Sequence, residues 1–287
     1  MTTSADQLHK SSRIHPFPTG FGARADHDVT QPLSVEAVRE IAAAFHRYLF
    51  IIFPNAPLSM AQLAAFIDTF GLPDQPSGRL ATAIDGYAGI RIVENAEPGK
   101  FGPRSNSELH WHSDRFFDPV VAGLLCSVVV PQTGGDTSLV DMCRAYDDLP
   151  EDLRRAIRGR AIKQDCVFAA DGQPMIRPGG TRIDDVLSSP GIETPIVQVR
   201  RHTWKNYLYL GNRLNACIPS LPPADSEALL DRLFAHVEQP HLQYRHHWSP
   251  NQLMFYDNRC CMHRREAFDG RAQRKLYASV VASSNIL

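Results

Sequence analysis

The greasiest window of the chain, AGLLCSVVV at residues 122–130, is nine residues long, the length of one strand and well short of the ~20 apolar residues that a membrane span needs. Every other apolar run is as short. LFIIF at 49–53, LMFYD at 253–257 and KLYASVVAS at 275–283 are each bounded by proline, asparagine, glycine or charged residues, which is the pattern of buried strands closed by turns. TSLVDM at 137–142 follows the turn PQTGGDT, PIVQV and YLYLG read as a hairpin, and LQYRHHW precedes the turn SPNQ. A short strand is expected around residues 90–93.

Helical spacing is confined to a few segments. Ser34 is placed to cap VEAVREIAAAFHRY, Ser59 to cap MAQLAAFIDTF, which stops at Gly71, and SEALLDRLFAHVEQ carries a third amphipathic pattern. A further helix is predicted over residues 147–159, with Pro150 in its first turn. Strands dominate the middle and the end, so a mainly β fold with flanking helices is favoured over alternating β-α-β. Residues 1–28 read as a flexible lead-in and residues 29–287 as one domain, since no repeat or linker interrupts them.

Composition removes several functions. Thirty Lys plus Arg against 31 Asp plus Glu leave a formal charge of −1 with no basic tract, so nothing attracts a phosphate backbone and nucleic acid is not expected as a partner. No membrane partner is expected either. Six cysteines form no C-x-x-C pair, and MTTSADQLHKSSR carries no apolar stretch for secretion, so reduced thiols and a cytoplasmic location are expected.

The chemistry-bearing pattern is HWHSD, with His112 and Asp114 two residues apart. On a strand such residues share a face, so an imidazole and a carboxylate would converge. With twelve histidines present, one such triplet arises by accident, and a surface His and Asp is the plain alternative. His263, just after LMFYD, is the leading third ligand. Two histidines and a carboxylate leave open positions on an octahedral metal, as non-haem Fe(II) oxygenases require, whereas a structural zinc needs a fourth ligand that the adjacent Cys260 and Cys261 supply poorly. Arg274, a short loop further on, offers a planar fork for a carboxylate; the alternative is a solvated arginine beside Arg271 and Lys275. Arg264, Arg265 and Glu266 read as a solvated rim, and of His246 and His247 strand alternation sends one inward.

FHRYLFIIF, PLSMAQLAAFIDTFG, HWHSD, VVVPQTGGDTSLVDMCRAYDDLP, YRHHW, YDNRCCMHR and Arg274 occur in order from about residue 33 to near the C-terminus. Together they make the chain resemble the Fe(II)/2-oxoglutarate-dependent dioxygenases of the taurine dioxygenase group, and within it the 2,4-dichlorophenoxyacetate dioxygenase branch. The resemblance implies a double-stranded β-helix (jelly-roll, cupin-like) core, with Fe(II), 2-oxoglutarate and O2 as the reacting set. His112, Asp114 and His263 fall on the metal ligands. Arg274 and Thr137 fall on the residues that hold the far carboxylate of 2-oxoglutarate, and Tyr256 on an aromatic position beside it. The implied reaction removes hydrogen from an unactivated C–H and releases succinate and CO2, with hydroxylation as the default outcome and desaturation or cyclisation as variants. Members of the group often form dimers or tetramers, so a homodimer or homotetramer is expected.

Two positions depart from that pattern. Where relatives carry a second arginine for the substrate anion, this chain has Ala278; where they carry a small amide, it has Glu108, followed by His110. A small-molecule substrate is therefore expected to be neutral or cationic rather than a taurine-like or aryloxyacetate anion, or its anion is held elsewhere, with Arg79 as the candidate. Glu108 read as a solvent-facing lid residue is the alternative. Phe101, Trp111, Phe116 and Phe117 are candidates for an apolar pocket wall or for simple core. Two rival readings remain open: a metal-dependent isomerase or lyase on the same barrel, and a binding module for a small acid.

Overall fold

The computed structural model describes residues 13–73, 83–84, 86–95, 106–116, 120–174 and 185–287. Two sheets, antiparallel except where Ala23–Ala25 runs parallel to Phe50–Phe53, face each other as a jelly-roll. The major sheet runs in the order Ile14–Pro16, Ala23–Ala25, Phe50–Phe53, Leu253–Asp257, Ala122–Val129, Lys275–Ser283, Tyr87–Glu94 and Ala83–Ile84, with Leu72–Pro73 pairing beside Lys275–Ser283. The minor sheet is Gln243–His246, Thr137–Asp141, Cys261–Arg265 and Leu109–His112. A three-stranded sheet and the hairpin Val197–Arg200 with Lys205–Leu208 stand as separate sheets.

The major sheet is covered on both faces, and that is why its strands read as continuous apolar runs instead of alternating ones. In Leu253–Asp257, Leu253 and Phe255 pack outward on the two N-terminal helices, while Met254 and Tyr256 join the core between the sheets. Phe255 meets Phe45, Phe66 and Phe70 at ring-centroid distances of 4.7, 5.7 and 5.2 Å. Burying each such ring contributes roughly 1.5–3 kcal/mol. The helices Val35–Tyr48 and Met60–Phe70 start at Ser34 and Ser59, each accepting a backbone N–H, and Gln62 completes a capping box with Ser59.

Two expectations are corrected and one strand is added. Residues 13–28 are not a flexible lead-in: Ile14–Pro16 pairs with Ala23–Ala25, which pairs with Phe50–Phe53, and Ile14, Phe21, Ala23 and Ala25 are buried. The helix predicted over 147–159 is two helices, Met142–Asp147 and Glu151–Ile157, because Pro150 lacks the N–H that would continue the first turn and caps the second helix instead. A further strand, Cys261–Arg265, follows the turn after Asp257 and carries His263.

Candidate metal centre

Antiparallel pairing places His263 directly opposite His112, so the two imidazoles share the inner face of the minor sheet with ring centroids 4.2 Å apart. Asp114 arrives differently. Its strand ends at His112, so strand alternation does not bring it in. It lies in the turn that follows, where Asn258 takes its backbone at both ends: Asp114 N–H donates to Asn258 Oδ1 (2.7 Å), and Asn258 Nδ2 donates to the Asp114 carbonyl (2.8 Å). One nitrogen or oxygen from each of His112, Asp114 and His263 lies within 4.8 Å of the others.

The protonation states suit a cation. His112 Nδ1 is 2.7 Å from the His110 carbonyl, which can only accept, so the proton sits on Nδ1 and Nε2 keeps its lone pair. Burial pushes the pKa of both rings down, that of His263 to about 3 with a further push from His112. Burial works to raise Asp114, but the charges of His263, Arg91 and His112 and a 2.5 Å hydrogen bond from the Tyr256 hydroxyl outweigh it and hold the carboxyl below its usual range. Neutral imidazoles and an ionised carboxylate are the metal-binding forms, and His263 Nδ1 is buried without a hydrogen-bond partner. The donor set and its orphaned nitrogen fit a divalent metal with open positions.

Tyr256 reaches Asp114 because Gly123 lies opposite it on the next strand. A Cβ on Gly123 would stand 2.2 Å from Tyr256 Cζ. The phenol stays protonated, its pKa raised by burial and by Asp114, and so acts as a donor only.

A second cluster holds cations without counter-charges. Arg274 is 3% exposed, donates from Nε to the Gly135 carbonyl (3.1 Å), and has its pKa lowered to about 9 by burial and by Arg265. Arg265 is also buried, contrary to the solvated rim expected of it, because residues 263 and 265 alternate onto the same inner face. Its Nη2 donates to the Ser107 carbonyl, its Nε has no partner, and burial lowers its pKa to about 10. Among the described residues neither arginine forms an ion pair; the charge of Asp171 reaches Arg265 and that of Asp136 reaches Arg274, and Asp136 is bound to Arg245 and His247. Thr137 lies opposite Arg265, is buried, and accepts from Trp248 Nε1 at 2.9 Å, which leaves its own proton to donate.

The remaining candidates separate from this centre. Glu108 is exposed and lies 3.6 Å from Arg264, which alternation turns away from the interior. His110 meets the centre through its carbonyl, with an exposed ring. Phe116 is buried two residues past Asp114, and Trp111 is buried under the Arg264 guanidinium. Arg79, Phe101 and Phe117 lie outside the described residues. Asn258 and Trp248 fall inside YDNRCCMHR and YRHHW, where the sequence attaches no role to them, and Arg265 and Arg91 lie outside the quoted motifs; all four are neighbours of the centre.

The chain matches the family described as "Taurine catabolism dioxygenase TauD, TfdA family" over residues 13–279. It belongs to that family. This TauD/TfdA protein is accordingly a dioxygenase of the 2-oxoglutarate-dependent class. It is 30% identical over 283 residues to an alpha-ketoglutarate-dependent 2,4-dichlorophenoxyacetate dioxygenase of Cupriavidus pinatubonensis, covering 92% of this chain and 94% of that one. It is likewise 30% identical over 268 residues to pentalenolactone F synthase of Streptomyces arenae, covering 88% and 89%. Among solved structures it is similar to AAD-2 in complex with Mn(II) and N-oxalylglycine, with a TM-score of 0.77, 25% identity and 95% and 97% coverage. A taurine dioxygenase from Burkholderia xenovorans is similar at a TM-score of 0.75, 26% identity and 94% and 89% coverage. Among the described residues, no helix is long and apolar enough to cross a membrane.

Proposed function

We propose that this TauD/TfdA protein is an Fe(II)- and 2-oxoglutarate-dependent oxygenase in which His112, Asp114 and His263 hold the metal and Arg274 and Thr137 hold the far carboxylate of 2-oxoglutarate. The net reaction splits 2-oxoglutarate with O2 into succinate and CO2 and inserts the second oxygen atom into a C–H of a small organic substrate. The observation that carries this reading is the adjacency of a preset 2-His-1-carboxylate cluster to two buried guanidiniums that form no ion pair among the described residues.

Bound Fe(II) supplies the electron and oxygen chemistry that side chains lack. The chain's residues do the rest. The His110 carbonyl keeps the proton on His112 Nδ1, and the Tyr256 hydroxyl and Asn258 fix Asp114. Trp248 sets the Thr137 rotamer so that its hydroxyl proton and the Arg274 fork meet the same carboxylate, while Arg265 adds positive potential from the neighbouring strand. Leu139, opposite His263, forms a buried apolar wall that excludes water. Neither an isomerase nor a metal-free binding module accounts for relatives named as dioxygenases.

The relatives' named substrates differ from one another, so specificity is not carried over from them. Glu108, paired with Arg264 away from the centre, does not favour an amine substrate. The test is anaerobic addition of Fe(II) and then 2-oxoglutarate to purified protein. A weak visible charge-transfer band is expected, absent from His263→Ala, followed in air by succinate release with a substrate drawn from a panel of amines, alcohols, aromatic ethers and organic acids. A protein that gives neither band nor succinate is not this enzyme.

A further inference from the structure

A third arginine faces the metal centre from the major sheet. Arg91 lies on Tyr87–Glu94 directly opposite Ala278 of Lys275–Ser283. The neighbouring pair positions Ile90 and Tyr277 pack outward in the core under the N-terminal helices, whereas Leu276 lies in the core between the sheets. Alternation therefore turns Ala278 and Arg91 inward. Arg91 is half-buried, and its charge acts on Asp114, His112, His263 and Tyr256 alike. Among the described residues it forms no ion pair, unlike the structural arginines Arg200 and Arg259, which share Asp257.

Across from Arg91 on the neighbouring strand, Ala278 contributes no more than a methyl group to the inward face. Arg274 lies four residues before Ala278 on the same strand line, about 13 Å of extended chain away. Arg91 and Arg274 thus approach the centre from separate positions, and the cosubstrate held at one leaves the other to a second molecule.

We infer that Arg91 binds an organic oxyanion, a carboxylate or sulfonate, of the substrate and so orients the substrate beside the His112–Asp114–His263 centre. The inference rests on the oxygenase reading and deepens it: the substrate is an anion, gripped from Tyr87–Glu94 and not from position 278.

The test uses the full chain with Mn(II), which supports binding without turnover, and 2-oxoglutarate. Phenylacetate, phenoxyacetate, 3-phenylpropionate and phenylmethanesulfonate are each compared with the matching primary amide by calorimetry and ligand-observed NMR, on wild type, Arg91→Gln and Arg91→Lys. The best-bound anion is expected to outbind its amide by about tenfold to a hundredfold in wild type, the span of a charge-assisted hydrogen bond. The preference falls to about one in Arg91→Gln and is partly retained in Arg91→Lys, while 2-oxoglutarate binds Arg91→Gln within about twofold of wild type. No anion preference in wild type, or the same preference in Arg91→Gln, overturns the inference. So does a tenfold loss of 2-oxoglutarate affinity in Arg91→Gln, which assigns the residue to the cosubstrate. Failure of wild type to bind 2-oxoglutarate at all overturns the oxygenase reading and this one with it.

Discussion

Replacing Arg274 by methionine separates what this side chain does for folding from what it does for binding. Burial and Arg265 lower its pKa to about 9 in the folded state, so the fold disfavours the charge by roughly 5 kcal/mol at 1.36 kcal/mol per pH unit. The sign follows from protonation. At pH 7 the group is protonated in both folded and unfolded chains, so the whole cost is present, and it is relieved only as pH rises above about 9. Methionine fills a similar volume without the charge. It forfeits the Nε bond to Gly135 and leaves that carbonyl without the donor, a loss of roughly 1–3 kcal/mol. The balance favours the variant by about 2–4 kcal/mol, within the range for replacing buried ions by apolar residues. For a chain of 287 residues, unfolding near ~2.1 cal/mol/K per residue converts that gain to a Tm rise of about 3–7 °C. Scanning calorimetry of the metal-free protein measures it. The same variant should bind 2-oxoglutarate at least about 100-fold more weakly in the presence of Mn(II), since the charge-assisted fork is gone. A metal-free Arg274→Met that is destabilised by more than about 1 kcal/mol, or one that keeps cosubstrate affinity, refutes the reading of a cation held in readiness for an external anion.

Tyr256→Phe removes the only hydroxyl bonded to Asp114 among the described residues and should weaken Mn(II) binding about 10- to 100-fold while the fold persists; unchanged metal affinity in a calorimetric titration would count against the tyrosine as a positioning residue. Asp257→Asn strips the shared carboxylate from Arg200 and Arg259, both buried or nearly so, and should cost about 3–5 kcal/mol in urea denaturation, whereas a loss below about 1 kcal/mol would show that the triad is not ionic. His246 and His46 are held neutral by burial, each with a pKa of about 4 against 6.5, so the unfolded chain takes up protons that the native state refuses. Stability should fall as pH drops from about 6.5 to 4, by roughly 2 kcal/mol at pH 5 for His246 alone. A urea midpoint that is flat or rises from pH 7 to 5 would contradict this.

The strands around the site were legible because both faces of the major sheet are buried: LFIIF, AGLLCSVVV and LMFYD need no alternation to be seen as core. Arg265 and Arg91 were not legible for the complementary reason. Each sits on a strand among residues of mixed polarity, and local pattern cannot tell an inward face that encloses a polar site from an outward one that meets water. Arg265 carries a usable signal, two residues past His263 on the same strand, but Cys261–Arg265 is not recognisable as a strand from its local pattern. Asp114 shows the limit most plainly, since its residue was found from HWHSD while the route that brings it to His112 was not.

What the chain determines by itself is local: which runs are too apolar to face water, where Ser34, Ser59 and Pro150 start helices, and which residues carry imidazole, carboxylate and guanidinium groups. Convergence belongs to the tertiary structure alone. His112 and His263 become neighbours only through strand pairing between segments some 150 residues apart, Asp114 only through the amide of Asn258, and Arg91 faces the centre only because its strand lies beside Lys275–Ser283. Sheet register sets these meetings, and register is decided by the sum of contacts across the whole core, a quantity that no single stretch of residues contains.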